Sequence, residues 1–122
     1  MSTEPSDASR RWSEMRTAVQ AFHDAYRLRE NGGEELAYRV ALMAEELGEI
    51  SAAVTKGKDR SELAEECADL LILLVGTAIA ADLDLESAFW NKMDELMGRP
   101  FRMVNGRIRV SRFDGVVPSE DG

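Results

Sequence analysis

At 122 residues and a formal net charge of -8, the chain is one small domain lacking the basic footprint that nucleic acids and anionic membrane surfaces select. Its single cysteine, Cys67, rules out an internal disulfide and fits a reducing cytoplasm. The polar opening Met1 to Ser9 has no apolar signal core, and the longest uncharged apolar run, Leu70 to Ala81, is 12 residues. A bilayer span needs about 20, so a soluble, cytoplasmic protein is expected.

Residues 1–8 read as a disordered leader, 9–98 as a helical bundle and 99–122 as a C-terminal hairpin and tail. Trp12, Met15, Val19, Phe22 and Tyr26 recur at helical spacing, and Asn31-Gly32-Gly33 is expected to stop that helix. Leu36, Val40, Met43, Leu47, Ile50 and Val54 form the apolar stripe of a second helix. Lys56 to Arg60 is a polar break that reverses the chain. Asp59 with Glu62 three residues on has the form of a capping box for a third helix. Its expected core stripe is Leu63, Cys67, Leu70, Leu74 and Ala81, with Cys67 a buried structural thiol. Beyond Asp69 this helix is apolar all round, with Ile72, Val75 and Ile79 opposite the stripe, so other helices or a second subunit must cover it. Asp84 can cap a fourth helix carrying Phe89, Met93 and Leu96. Arg102 to Val104 and Arg107 to Val110 flank Asn105-Gly106, the signature of a hairpin on a type I′ turn. The fold class expected is all-α, a four- to five-helix bundle with an antiparallel helical hairpin, plus this short β-hairpin. Five arginines and no acid lie from Arg99 to Arg112, a basic flap for bound phosphates or for acids of a neighbouring subunit.

The chemistry lies in two carboxylate pairs, Glu46 with Glu49 and Glu66 with Asp69. Spacing of i, i+3 puts each pair on one helix face. Positions 49 and 66 share a midpoint with positions 46 and 69, so an antiparallel hairpin brings all four to one level. Glu45, Glu62 and Glu65 enlarge the cluster, and no Lys or Arg occurs from Val40 to Thr55 or from Ser61 to Asn91. Such repulsion has no local remedy, and a divalent cation among the four acids resolves it. An ordinary acidic surface is the bland alternative. Oxygen donors without His or Cys suit magnesium, with manganese as a possible substitute. A pair of such ions can clamp a phosphoryl group and activate water, which suits phosphoanhydride hydrolysis. Glu45 is either the water's base or a solvent-facing glutamate. Lys92 can neutralise a terminal phosphate and Asn91 can bond a sugar or base, though both types are common on surfaces. His23, the only histidine, reads as a packing or hydrogen-bonding residue, and helical Trp12 and Trp90 as core before base-stacking groups.

Leu42-Met43-Ala44-Glu45-Glu46-Leu47-Gly48-Glu49-Ile50 followed by Glu65-Glu66-Cys67-Ala68-Asp69-Leu70-Leu71 resembles the MazG-like all-α nucleoside triphosphate pyrophosphohydrolases. Their hallmark is E-E-x-x-E and then E-x-x-D across a helical hairpin. The resemblance spans residues about 20–97, and Gly98-Arg99-Pro100-Phe101-Arg102 is similar to members of dimeric dUTPase character. It implies magnesium on Glu46, Glu49, Glu66 and Asp69, Glu45 as water-activating base, and Asn91-Lys92 near the nucleotide. The implied reaction converts a (d)NTP such as dUTP or dCTP to the monophosphate and pyrophosphate, clearing unwanted nucleotides. The implied assembly is a homodimer or homotetramer. Two other readings stand beside it: a phosphoribosyl-ATP pyrophosphohydrolase-like enzyme and a non-catalytic helical interaction module.

Overall fold

A computed structural model describes residues 7–113 of the chain. It contains α1 (Asp7–Ala25), α2 (Leu36–Thr55), α3 (Arg60–Ala80), α4 (Leu85–Met97), β1 (Phe101–Val104) and β2 (Arg107–Val110). The architecture is helical with a C-terminal two-stranded hairpin, as expected. The chain divides into two compact units, one ending at Asp84 and the other beginning at Leu85. The fourth helix is thus grouped with the hairpin. No described helix is long and apolar enough to cross a membrane.

Each helix of the first unit ends on a residue in the left-handed region. Arg27 (φ 52°) terminates α1, with Leu28 N–H donating to the His23 carbonyl at 3.0 Å. Gly57 (φ 66°) does the same after α2, where Lys58 N–H reaches the Ala53 carbonyl at 3.0 Å. Asp82 (φ 54°) ends α3, with Leu83 N–H on the Ala78 carbonyl at 2.8 Å. These paired i−5 bonds satisfy carbonyls that a helix end would orphan. The first helix therefore stops well before Asn31-Gly32-Gly33, because Arg27 adopts a conformation that composition does not advertise. The Asp59 cap is as expected: its carboxylate accepts from Glu62 N–H at 2.9 Å and from the Ser61 hydroxyl at 2.9 Å.

The core lies on a different side of α3 from the one periodicity favours. Val19 of α1 packs with Val75 and Ile79, and Trp12 covers them. Ala53 and Ala78 are also buried. Leu74 of the expected stripe is exposed, as is Cys67, which is no buried thiol. Val75 and Ile79 lie about 80° and 120° around the helix from Cys67, and α1 covers their side. The α2 stripe is uncovered too: Leu36, Val40, Leu47 and Val54 are exposed, Val54 by 63%. Met15, Phe22 and Tyr26 of α1 likewise stand in the open.

In the second unit Asn105 (φ 52°) and Gly106 (φ 79°) form the type I′ turn, pairing Val104 with Arg107 and Phe101 with Val110. Phe89 and Trp90 meet edge to face at 5.0 Å between ring centroids, and Trp90 is half exposed. Three cations converge on one acid of α4: Lys92, Arg99 and Arg112 all pair with Glu95. They hold its carboxyl down to about 2, Arg112 contributing most. Arg102 lies 3.6 Å from the Phe113 ring centroid. Arginines of the flap thus pair with groups of their own unit.

Candidate metal centre

The centre is built by the α2–α3 hairpin. A four-residue turn, Lys56 to Asp59, joins the helices, and such a connection makes them antiparallel. The third turn of α2 then faces the second turn of α3. Carboxylate oxygens of Glu46, Glu66 and Asp69 lie within 4.8 Å of one another. Glu49 is exposed and does not belong to that three-residue group, although its charge reaches Glu46. Glu45, also exposed, lies beside the same group and lines the adjoining cavity.

Glu46 is the distinctive member. Its Oε2 is buried and has no hydrogen-bond partner. Its carboxyl is pushed above the usual range, first by loss of water and then by the charges of Asp69, Glu66, Glu49 and Glu45. A buried carboxylate oxygen left without a donor is expensive, and native interiors seldom leave one so. A divalent cation held there would satisfy that oxygen and offset the repulsion at once. The residues fit a hard cation of the magnesium type, with no sulfur or nitrogen donor in the cluster.

Beside the acids opens a cavity of about 640 Å³, within the range of small-molecule sites. Its walls are mainly apolar: Met15, Val19 and Phe22 from α1, Leu42 from α2, and Ile72 and Val75 from α3. Glu45, Glu46 and Asp69 line it as well, and no Lys, Arg or His does so among the described residues. Helical periodicity puts Leu42 and Ala53 on the side of α2 that carries the acids, where both would wall the site; Leu42 does so, whereas Ala53 is buried and does not line the cavity. The contribution of α1 was not evident from the chain; Met15 and Phe22 carried the only signal, as part of an amphipathic stripe.

Asn91 and Lys92 lie on α4 in the second unit. Asn91 is exposed, and Lys92 Nζ pairs with Glu95 at 3.1 Å. His23 is buried, as a hydrogen-bonding residue should be, its Nδ1 2.7 Å from Glu34 Oε2. A residue that sequence reasoning passed over is Arg39, buried in the α2–α3 seam.

A helical hairpin that sets E-E-x-x-E against E-x-x-D around such a cluster defines the MazG-like all-α pyrophosphohydrolase superfamily. Within that superfamily the model of one family, described as phosphoribosyl-ATP pyrophosphohydrolase, matches residues 12–95. That is more than half of the chain, and the chain belongs to this family. It is a pyrophosphohydrolase by class. Neither the comparison with curated proteins nor that with solved structures gave a match.

Proposed function

We propose that the protein uses a divalent cation, magnesium in the first place, to release pyrophosphate from a nucleotide. The observation that carries this reading is the orphaned, buried Glu46 Oε2 set among the carboxylates of Glu66 and Asp69. Glu46, Glu66 and Asp69 would hold the ion, with Glu49 closing the set once a cation draws it in. A bound ion supplies phosphate charge neutralisation and a more acidic water. Glu45 borders both the acids and the cavity, and takes the role of proton acceptor for that water. Asn91 and Lys92 are assigned to the nucleotide on the strength of the family resemblance.

The family makes phosphoribosyl-ATP the first substrate to test. A free (d)NTP is the second substrate class to test. Phosphoribosyl-ATP carries a further phosphate beyond its base, and among the described residues no cation lines the cavity beside the acids. Apolar walls suit an unsubstituted base, which would make the reaction one of nucleotide-pool clearance. We further assign the exposed α2 stripe to a homodimer or homotetramer contact, since Leu36, Val40, Leu47 and Val54 form a contiguous apolar row.

The test is pyrophosphate release from phosphoribosyl-ATP, each dNTP and each NTP, with and without magnesium. Magnesium-dependent release is expected, and Asp69→Asn should abolish it while the far-ultraviolet circular dichroism is unchanged. Full release by Asp69→Asn would sink the metal assignment. Wild-type protein that turns over no nucleotide would instead be an interaction module.

A further inference from the structure

Arg39 is only 2% exposed, and no other Lys or Arg among the described residues is buried. A guanidinium taken from water is costly unless its donors are used. Here they are used on three sides. Nε donates to Thr77 Oγ1 at 2.9 Å and Nη2 to the Leu73 carbonyl at 3.0 Å, both on α3. Nη1 donates to the Gly33 carbonyl at 3.0 Å, ahead of α2. The Thr77 hydroxyl in turn donates a hydrogen bond to the Leu73 carbonyl at 2.8 Å, which orients its lone pairs to accept from Arg39. Gly76 leaves room for the fork, because any side chain there would meet Arg39 Nη2 and His23 Nε2.

This clamp and the acidic centre are two levels of one seam. Arg39 precedes Glu46 by seven residues, which is two turns and about 20° of rotation on α2. Glu66 precedes Leu73 by the same interval on α3. With the helices antiparallel, Arg39 meets Thr77 at one level and Glu46 meets Asp69 at the next, about 11 Å along. The two pairings have nearly the same register, so the bonds that fix one fix the other. A slip of one residue moves a helix by about 1.5 Å and turns its side chains by about 100°. Apolar contacts tolerate a fraction of such a slide; a planar fork bonded on three sides does not. The acids meanwhile repel one another and press the seam apart at their own level.

We infer that Arg39 is a positioning residue for the acidic centre, setting the α2–α3 register that keeps Glu46 opposite Glu66 and Asp69. The inference rests on the reading of that centre as a divalent-cation site. It is distinct from a merely structural pin, which would lower the melting temperature and leave cation affinity of the folded protein alone.

The experiment measures Mn²⁺ binding by electron paramagnetic resonance of the free ion, for the full chain, well below each variant's melting temperature. Arg39→Met should bind Mn²⁺ about 10-fold more weakly than wild type, the low end of the range for groups bonded directly to metal ligands, since Arg39 acts through the register and touches no ligand. Arg39→Lys keeps the charge without the fork and should fall between the two. Thr77→Val, which removes one arm, serves if Arg39→Met does not fold, and should weaken binding in the same direction. Wild-type Mn²⁺ affinity in folded Arg39→Lys and Thr77→Val would overturn the positioning role while leaving the metal centre intact. No Mn²⁺ binding by wild-type protein, or binding untouched by Asp69→Asn, would overturn both readings together.

Discussion

Arg39 crosses α3 directly over Gly76. A Cβ built on Gly76 would fall 2.6 Å from His23 Nε2 and closer still to Arg39 Nη2. Neither neighbour is free to yield, since Arg39 is bonded on three sides and His23 to Glu34. Gly76→Ala should therefore destabilise the protein. Overpacking costs about 1–3 kcal/mol and the better helix propensity of alanine returns up to about 1. A net loss of about 1–2 kcal/mol is expected in urea unfolding, with the slope unchanged.

Gly48 gives the opposite sign. It also lies inside a helix, yet a Cβ there meets no neighbouring atom within 4 Å. Gly48→Ala removes backbone entropy from the unfolded chain and should stabilise the isolated protomer by about 0.5–1 kcal/mol. The check is the urea midpoint at protein concentrations low enough to dissociate any assembly. A loss of stability at high concentration alone would place a second chain against this turn of α2.

How far the chain foretold the structure depends on whether a feature is local. The Asp59 cap, the Asn105-Gly106 turn and the register of Glu46 with Asp69 each follow from a few residues and one helical period, and they were legible. Which side of α3 is buried was not. That helix is apolar all round after Asp69, so periodicity cannot choose between the face of Leu74 and the face of Val75; the packing of Val19 and Trp12 chooses. Arg39 was illegible for the same reason. A lone arginine beside Val40 reads as a solvated helix residue, and its partners Leu73 and Thr77 are more than thirty positions away. The end of α1 depends on Arg27 in a conformation that glycine favours.

Glu46→Gln should separate stability from function. Desolvation and then four neighbouring acids disfavour the ionised form of the wild-type carboxyl and raise its pKa. A folded-state value above the unfolded one means the favourable contribution is complete in acid and lost as pH rises through the folded value. The amide carries no charge at any pH. The metal-free variant should therefore be the more stable protein above the ordinary glutamate range, and the advantage should shrink as pH falls into that range. Addition of magnesium should raise the melting temperature of wild type and leave the variant nearly unmoved. Scanning calorimetry above and within that range, with and without the ion, measures all of this.

Glu95 titrates in the opposite sense. Arg112, then Arg99 and Lys92, donate to its carboxylate and hold it down to about 2. Carbon-detected NMR titration should find it ionised at pH 3, where ordinary glutamates are protonated. Removing the first of those donors, with Arg112→Ala, should move the midpoint toward the ordinary range. If the midpoint stays low in that variant, Arg99 and Lys92 suffice.

Glu34 ties the end of α1 to the turn before α2, and its loss should appear as a change in acid stability. Its carboxylate accepts from His23 at 2.7 Å and from Arg29 at 3.2 Å, with the side chain only 10% exposed. An ionised carboxylate has no proton to give, so Nδ1–H of His23 is the donor. That hydrogen bond is the largest cause of the lowered Glu34 pKa, and burial opposes it. A depressed folded-state value contributes stability that is complete above the ordinary glutamate range, near 4.5, and is lost as pH falls below it. Glu34→Gln keeps the shape and gives up the charge. At pH 7 it should cost about 1–3 kcal/mol, as expected for a hydrogen bond to a charged, largely buried group. As pH falls below the ordinary glutamate range the wild-type and variant curves should converge, because acid protonates the carboxylate that the substitution removes. Urea unfolding at successive pH values between 3 and 7 tests the point, and curves that stay parallel throughout would show that the charge on Glu34 contributes nothing.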